Sequence, residues 1–147
     1  MDIIMRQALF MEEGSELFKA IKAGDMVEIL AETVNLAYCA LGAIAIQGAD
    51  VLDRPVSWRH DGFVISLMRL FSDEINHCAS GSPDDYSAVY GLCVHLSRSF
   101  INADFDKAFQ RVHDSKMSGL DKGGEQVEGT RRSKFFKTPD LSECLFE

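Results

Sequence analysis

Between Asp2 and Gly48 the apolar residues recur at helical spacing with one interruption, Gly24-Asp25. Ile3, Leu9, Phe10, Leu17 and Ile21 are the core positions before it, and Met26, Ile29, Leu30, Val34, Ala37, Leu41 and Ile44 those after it. A glycine after such a run accepts the left-handed turn that stops a helix, and Asp25 with Glu28 has the spacing of a capping-box variant that starts another. The pattern therefore predicts a helix over 2–23, a second over 25–48, and a turn so short that the two must fold back as an antiparallel hairpin. Residues on either side of the turn then come level with each other, which brings Glu13 and Glu16 close to Glu32 and Asn35.

The helical period continues beyond this hairpin. After a connection around Asp53-Arg54-Pro55, a third helix is marked by Phe63, Val64, Leu67, Met68, Leu70, Phe71 and Ile75, and Gly81 closes it. Ser82-Pro83-Asp84-Asp85 combines a cap, a first-turn proline and acids at the positive end of the dipole, so a fourth helix follows to about Phe100. Phe105, Ala108, Phe109 and Val112 mark a short fifth. From Ser115 the pattern breaks into Gly119, Gly123, Gly124 and Gly129 among charges, with Phe135, Phe136, Pro139 and Leu141 as anchors. With no strand period and no repeat, the expected fold is all-α, a bundle of about five helices built on the acidic hairpin. The 147 residues, 46% hydrophobic, suffice for one core. We read residues 1–114 as the helical domain and 115–147 as a basic, glycine-rich tail that belongs to it when docked.

A net charge of −8 repels a phosphate backbone, which argues against nucleic-acid polymers as partners; a small anion would need a metal or a local basic clamp. Cys39, Cys78, Cys93 and Cys144 form no CxxC pair, as suits buried thiols in a reducing compartment. The N-terminus has no basic region leading into a signal-type core, and no stretch approaches the roughly 20 apolar residues of a membrane span. The expectation is a cytoplasmic protein without membrane contact.

Glu12, Glu13 and Glu16 project over one sector of the first helix, and Glu32 and Asn35 share a face of the second. Like charges so placed destabilise a helix, and a cation is one reason to keep them together. Carboxylate and amide oxygens suit Mg²⁺ or Mn²⁺, and the lack of a His/Cys cluster argues against zinc. An acidic face is also what solvent favours on a helix, so the pattern alone leaves both readings open. Glu28 has a capping position that accounts for it.

Three blocks carry a family resemblance. Arg6-Gln7-Ala8-Leu9-Phe10-Met11-Glu12-Glu13-Gly14-Ser15-Glu16 resembles the RxxLIxEExxE segment of the all-α nucleoside triphosphate pyrophosphohydrolases, the MazG-like and phosphoribosyl-ATP pyrophosphohydrolase-like superfamily. Glu32-Thr33-Val34-Asn35-Leu36-Ala37-Tyr38, then Gly42 and Gly48-Ala49-Asp50, is similar to its ExxDxxY…G…GID segment. Ala108-Phe109-Gln110-Arg111-Val112-His113-Asp114-Ser115-Lys116-Met117-Ser118, with Pro139-Asp140-Leu141, resembles its AFxxVHxSNMSK…PDL ending. The resemblance implies an oligomeric enzyme, a homodimer or homotetramer, that uses Mg²⁺ to cut a nucleoside triphosphate into monophosphate and pyrophosphate. The substrate expected is a deoxy or non-standard nucleotide, with phosphoribosyl-ATP the alternative, and a catalytically degenerate relative a third reading. The resemblance makes Glu12, Glu13, Glu16 and Glu32 metal ligands, with Glu12 or Glu13 orienting the attacking water. Asn35 stands where the family has aspartate and brings an oxygen without a charge. Lys116 stands where the family has asparagine, and Gly119 where it has lysine.

The basic residues Lys116, Arg131, Arg132 and Lys134, with Lys122 and Lys137, are concentrated near the C-terminus and are the candidate phosphate clamp; a solvated disordered tail is the other reading. Asp73, Glu74 and His77 lie at helical spacing and read as a polar face or as an added ligand and base. Trp58 beside Arg59 reads as a packing anchor or a base-stacking pair, and His60, His95 and His113 as structural histidines. Leu36, Ala40, Gly42 and Ala43 are the positions expected to meet a second subunit.

Overall fold

The structure is a computed structural model that describes residues 1–56, 61–123 and 139–146. Five α-helices carry it: α1 (Ile3–Ala23), α2 (Met26–Ile46), α3 (Val64–His77), α4 (Pro83–His95) and α5 (Phe105–Gly123). A 3₁₀ turn, Cys78–Ser80, ends α3, a π-helical turn, Leu96–Phe100, extends α4, and another 3₁₀ turn, Ser142–Cys144, lies near the C-terminus. The described residues contain no β-strand, only an isolated bridge between Ala103 and Leu145. The all-α expectation and its five helices are borne out.

Local chemistry sets the hairpin. Asp2 accepts from the Met5 amide at 3.0 Å and starts α1. Gly24, at φ 75, ends α1 by donating to the carbonyls of Ala20 and Ile21, and Asp25 starts α2 by accepting from the amides of Val27 and Glu28. Two adjacent residues thus stop one helix and begin the next. Gly81 combines a positive φ of 71 with a close approach, since a Cβ there would stand 2.6 Å from Ile3 Cδ1. Ile3 itself is 40% exposed, because it lies over this turn rather than in the core.

The hairpin is then enclosed. α3 buries Leu67, Phe71 and Ile75, one residue per turn, and Gln7 of α1 donates to the Ile75 carbonyl at 2.9 Å. Phe10 of α1 stacks on Tyr86 of α4 at 5.4 Å between ring centroids. α5 runs on to Gly123, further than the sequence pattern reached, because its polar face is solvated and leaves no apolar period to read. Arg111 of α5 holds the C-terminal segment through Glu143 at 2.8 Å and the Asp140 carbonyl at 3.3 Å, with Leu141 and Cys144 fully buried.

α2 lies at the centre, packed against α1, α4 and α5. Every residue from Ile29 to Ala37 is buried. By length and composition α2 is apolar enough to cross a membrane, contrary to the expectation that no stretch comes near that. The reason is its position: 67% of its most apolar window is buried inside the bundle, as for the core helix of a globular protein. The same enclosure corrects the expected subunit contact. Leu36, Ala40 and Ala43 are inaccessible within the single chain, covered by the helices folded over α2. Leu36→Ala should therefore lower the unfolding free energy by about 2–5 kcal/mol, the cost of a core cavity, independently of protein concentration in urea titrations. A loss that shrinks as concentration rises would return Leu36 to an interface.

Candidate active site

Helix α2 buries two residues with acceptor oxygens at its centre, Glu32 at 5% exposure and Asn35 at 4%. They stand one turn apart on one face. The register of the hairpin is marked further along by Arg6, whose Nη1 lies 3.7 Å from where a Gly42 Cβ would be. Glu13 and Asn35 lie at that same level across the pair, and so do Glu16 and Glu32.

The five residues expected as ligands divide into two groups. Glu13 is half-buried, and Glu13, Glu32 and Asn35 each have one side-chain oxygen shielded from solvent. Glu12 is exposed, and Glu16 turns outward to Lys19, with Oε1 3.4 Å from Nζ. Among the described residues no three His, Cys, Asp or Glu side chains form a group able to hold a metal ion. Carboxylates repel one another until a cation gathers them, so convergence of the outer pair requires a change of rotamer.

Asn35 Oδ1 makes no hydrogen bond. Such a buried acceptor costs about 1–3 kcal/mol, and a cation drawing on Glu13, Glu32 and Asn35 would satisfy it. The donors are all oxygen, the set that Mg²⁺ prefers. The residues present therefore fit a magnesium site, with Asn35 as its neutral member.

Helix α5 supplies the opposite wall. Tyr38 OH lies 2.8 Å from His113 Nδ1, Phe109 stacks on the Tyr38 ring at 5.4 Å, and Lys116 Nζ stands 5.2 Å from the centre of that ring. Burial raises the Tyr38 phenol above its ordinary value, so the hydroxyl keeps its proton. The Cys39 thiol is pushed up to about 12, first by burial and next by Glu13, while Lys116 and Arg6 pull it down and Glu32 pushes it up. The Cys39 thiol thus lies within electrostatic range of two acids and two bases, in a chain that is acidic as a whole.

Lys116, expected at the start of the basic tail, lies on α5 instead, because that helix runs on to Gly123. Arg131, Arg132 and Lys134 lie outside the described residues, as do Lys137, Trp58, Arg59 and His60. Sequence reasoning passed over Arg6, Tyr38 and Cys39 and left His113 without a partner. Arg6 opens the first resembling block, Tyr38 closes the second and His113 sits in the third, so shared block membership was the available signal. Glu74, rather than Asp73, faces His77, at 3.8 Å on its own helix. Two cavities lie elsewhere, one of about 600 Å³ between α1 and α3 and one of about 460 Å³ against α4. Charge convergence, not concavity, distinguishes the acidic face.

The chain matches the phosphoribosyl-ATP pyrophosphohydrolase family over residues 2–54, the stretch that contains α1 and α2 with Glu13, Glu32 and Asn35. That family belongs to the MazG-like superfamily already indicated by the three blocks, and its members are hydrolases acting on phosphoric anhydrides. No curated protein and no solved structure matches the chain significantly.

Two outcomes test this geometry. Asn35→Asp adds a third carboxylate to the buried face, so without divalent cation it should be destabilised by about 1–3 kcal/mol, and excess Mg²⁺ should raise its melting temperature more than the parent's. An equal response to Mg²⁺ in both proteins would place Asn35 outside the ligand set. Cys39 should alkylate far more slowly than a free thiol at about pH 8.5, where an ordinary cysteine is half ionised. Its thiolate should form only as the pH approaches about 12, as read by thiolate absorbance.

Proposed function

We propose that this chain, whose N-terminal hairpin is that of an all-α nucleoside triphosphate pyrophosphohydrolase, cleaves a nucleotide between its α- and β-phosphates with Mg²⁺ as cofactor. The observation that carries this reading is the burial of Glu32 and Asn35 on α2, level with the acids of α1, inside the segment that matches the family. Phosphoribosyl-ATP is the substrate favoured by that match, ahead of the deoxy or non-standard triphosphate read from the sequence.

The chemistry follows from charge. Mg²⁺ held by Glu13, Glu32 and Asn35, with Glu12 or Glu16 when their side chains turn inward, would neutralise phosphate oxygens and acidify a bound water. Glu13, half-buried beside the site, is the base that orients the water, with the exposed Glu12 next to it as the other candidate. Water oxygen adds to phosphorus, the bridging P–O bond breaks, its electron pair leaves with pyrophosphate, and the water proton passes to the carboxylate. Arg6 and Lys116 face the growing negative charge from α1 and α5. Tyr38, held by His113 and Phe109, keeps the Lys116 end of α5 against α2. The basic residues Arg131, Arg132 and Lys134 act in this reading as a clamp on the phosphates, and residues 115–147 as part of one domain with the helices.

A homodimer or homotetramer in the cytoplasm completes the proposal. The free cysteines are consistent with that compartment, and Phe63, Val64 and Ile65, exposed at the start of α3, offer a second subunit the apolar surface that α2 does not.

Pyrophosphate release from phosphoribosyl-ATP, the deoxynucleoside triphosphates and non-standard triphosphates, with and without Mg²⁺ or Mn²⁺, tests the reading. Release should require the metal, be fastest with phosphoribosyl-ATP, and fall by about 100-fold or more in Glu32→Gln, the scale of losing one preorganised charge at the reacting centre. Fastest release from a deoxynucleotide would restore the substrate expected from the sequence. Undiminished release by Glu32→Gln would remove the hairpin as the active site.

A further inference from the structure

The cavity against α4 contains none of the residues placed in the hydrolytic site. Its walls come from two parts of the chain. Residues 51–54 leave α2 and cross the outer side of α4, tied there by the Leu52 amide, which donates to Ser87 Oγ at 3.0 Å. On either side of this strap, Ala49 and Val56 pack against the core. The other wall is α4 with its π-helical turn, which contributes Tyr90, Gly91, Val94, His95 and Arg98. The cavity is an open groove of about 460 Å³, within the range of small-molecule sites.

Gly91 explains why the space exists. A glycine inside a helix is costly relative to alanine, and here it leaves bare the part of α4 that faces the strap. A Cβ at Gly91 would sit 3.7 Å from the Arg54 carbonyl, so any longer side chain would project into the cavity or lift the strap.

The lining sets two guanidiniums, Arg54 and Arg98, against one carboxylate, Asp53, in a chain of net charge −8. Each arginine is held from outside by an exposed aspartate through a single nitrogen. Arg54 uses Nη1 for Asp84, and Arg98 uses Nη2 for both oxygens of Asp106 at 3.2 and 3.3 Å. The exposed partners screen weakly, and the rest of each planar fork remains for a second anion. Arg54 on the strap and Arg98 on the π-helical turn both line the cavity with the forked donors a phosphate takes, and Tyr90 and Val94, which line it too, offer an apolar face to whatever the phosphate is attached to.

The geometry points to a second binding site on the outer side of α4, for a phosphate-bearing small molecule up to the size of a nucleoside monophosphate, held by Arg54 and Arg98. A free phosphate ion and the phosphate of a nucleotide share the chemistry, and the two probes below separate them.

Calorimetric titration of the full chain in EDTA, with inorganic phosphate and with adenosine monophosphate as probes, tests the proposal apart from the metal-dependent site. Binding of either probe should weaken about tenfold or more in Arg98→Gln and again in Arg54→Gln, the effect of losing a hydrogen bond to a charged group. Arg98→Lys, which keeps the charge and loses the fork, should fall between parent and Arg98→Gln, and Glu32→Gln should bind like the parent. Both arginines are substantially exposed, so these variants are expected to melt with the parent. Tighter binding of the nucleotide than of phosphate assigns the apolar face to the nucleoside, and equal binding assigns the site to phosphate alone. Absence of heat with both probes up to about 10 mM, or affinity unchanged in the double arginine variant, overturns the site.

Discussion

A helix enclosed on every side can keep polar groups only where its neighbours bring compensating charge. That constraint governs α2. Its apolar residues are each worth about 1.5–3 kcal/mol on burial, which is why α1, α4 and α5 pack around it. Glu32 and Asn35 oppose this drive from the middle of the same helix, and Arg6 and Lys116, within electrostatic range of the same region, are of the sign that offsets a buried carboxylate. Stability and chemistry therefore depend on the same stretch. The apolar faces fix where α2 lies, and that position fixes where its oxygens point.

The hairpin turn converts this burial into a site. Gly24 and Asp25 leave no slack between α1 and α2, so levels along the two helices are set by the turn. The α5 wall has no such short-range determinant. It is held by Tyr38 against His113 and Phe109, and from beyond by Arg111 on the C-terminal segment. The acidic half of the proposed site is thus built by local folding, and the α5 wall with Lys116 by tertiary packing.

Charge is distributed to the same end. Among the described residues, Arg6 and Lys116 lie within electrostatic range of the acidic hairpin, and Arg54 and Arg98 line the cavity on α4. A phosphate approaching an acidic protein is repelled at long range and attracted only where low-dielectric walls focus a local positive field.

The sequence by itself determined the helices, the turn and the resemblance of residues 2–54 to a pyrophosphohydrolase family, because each depends on neighbours within a few residues: a glycine that accepts positive φ, an aspartate that caps, apolar residues repeating every turn. Pro139-Asp140-Leu141 read correctly as a docked end for the same reason, an apolar residue behind a proline. Tertiary structure alone decided which acids face inward, that Leu36, Ala40 and Ala43 are core rather than interface, and that His113 has Tyr38 as its partner. It also decided that Arg54 and Arg98 share a cavity. Helical periodicity says which residues share a face and not what covers that face, and covering is set by contacts between segments far apart in the chain.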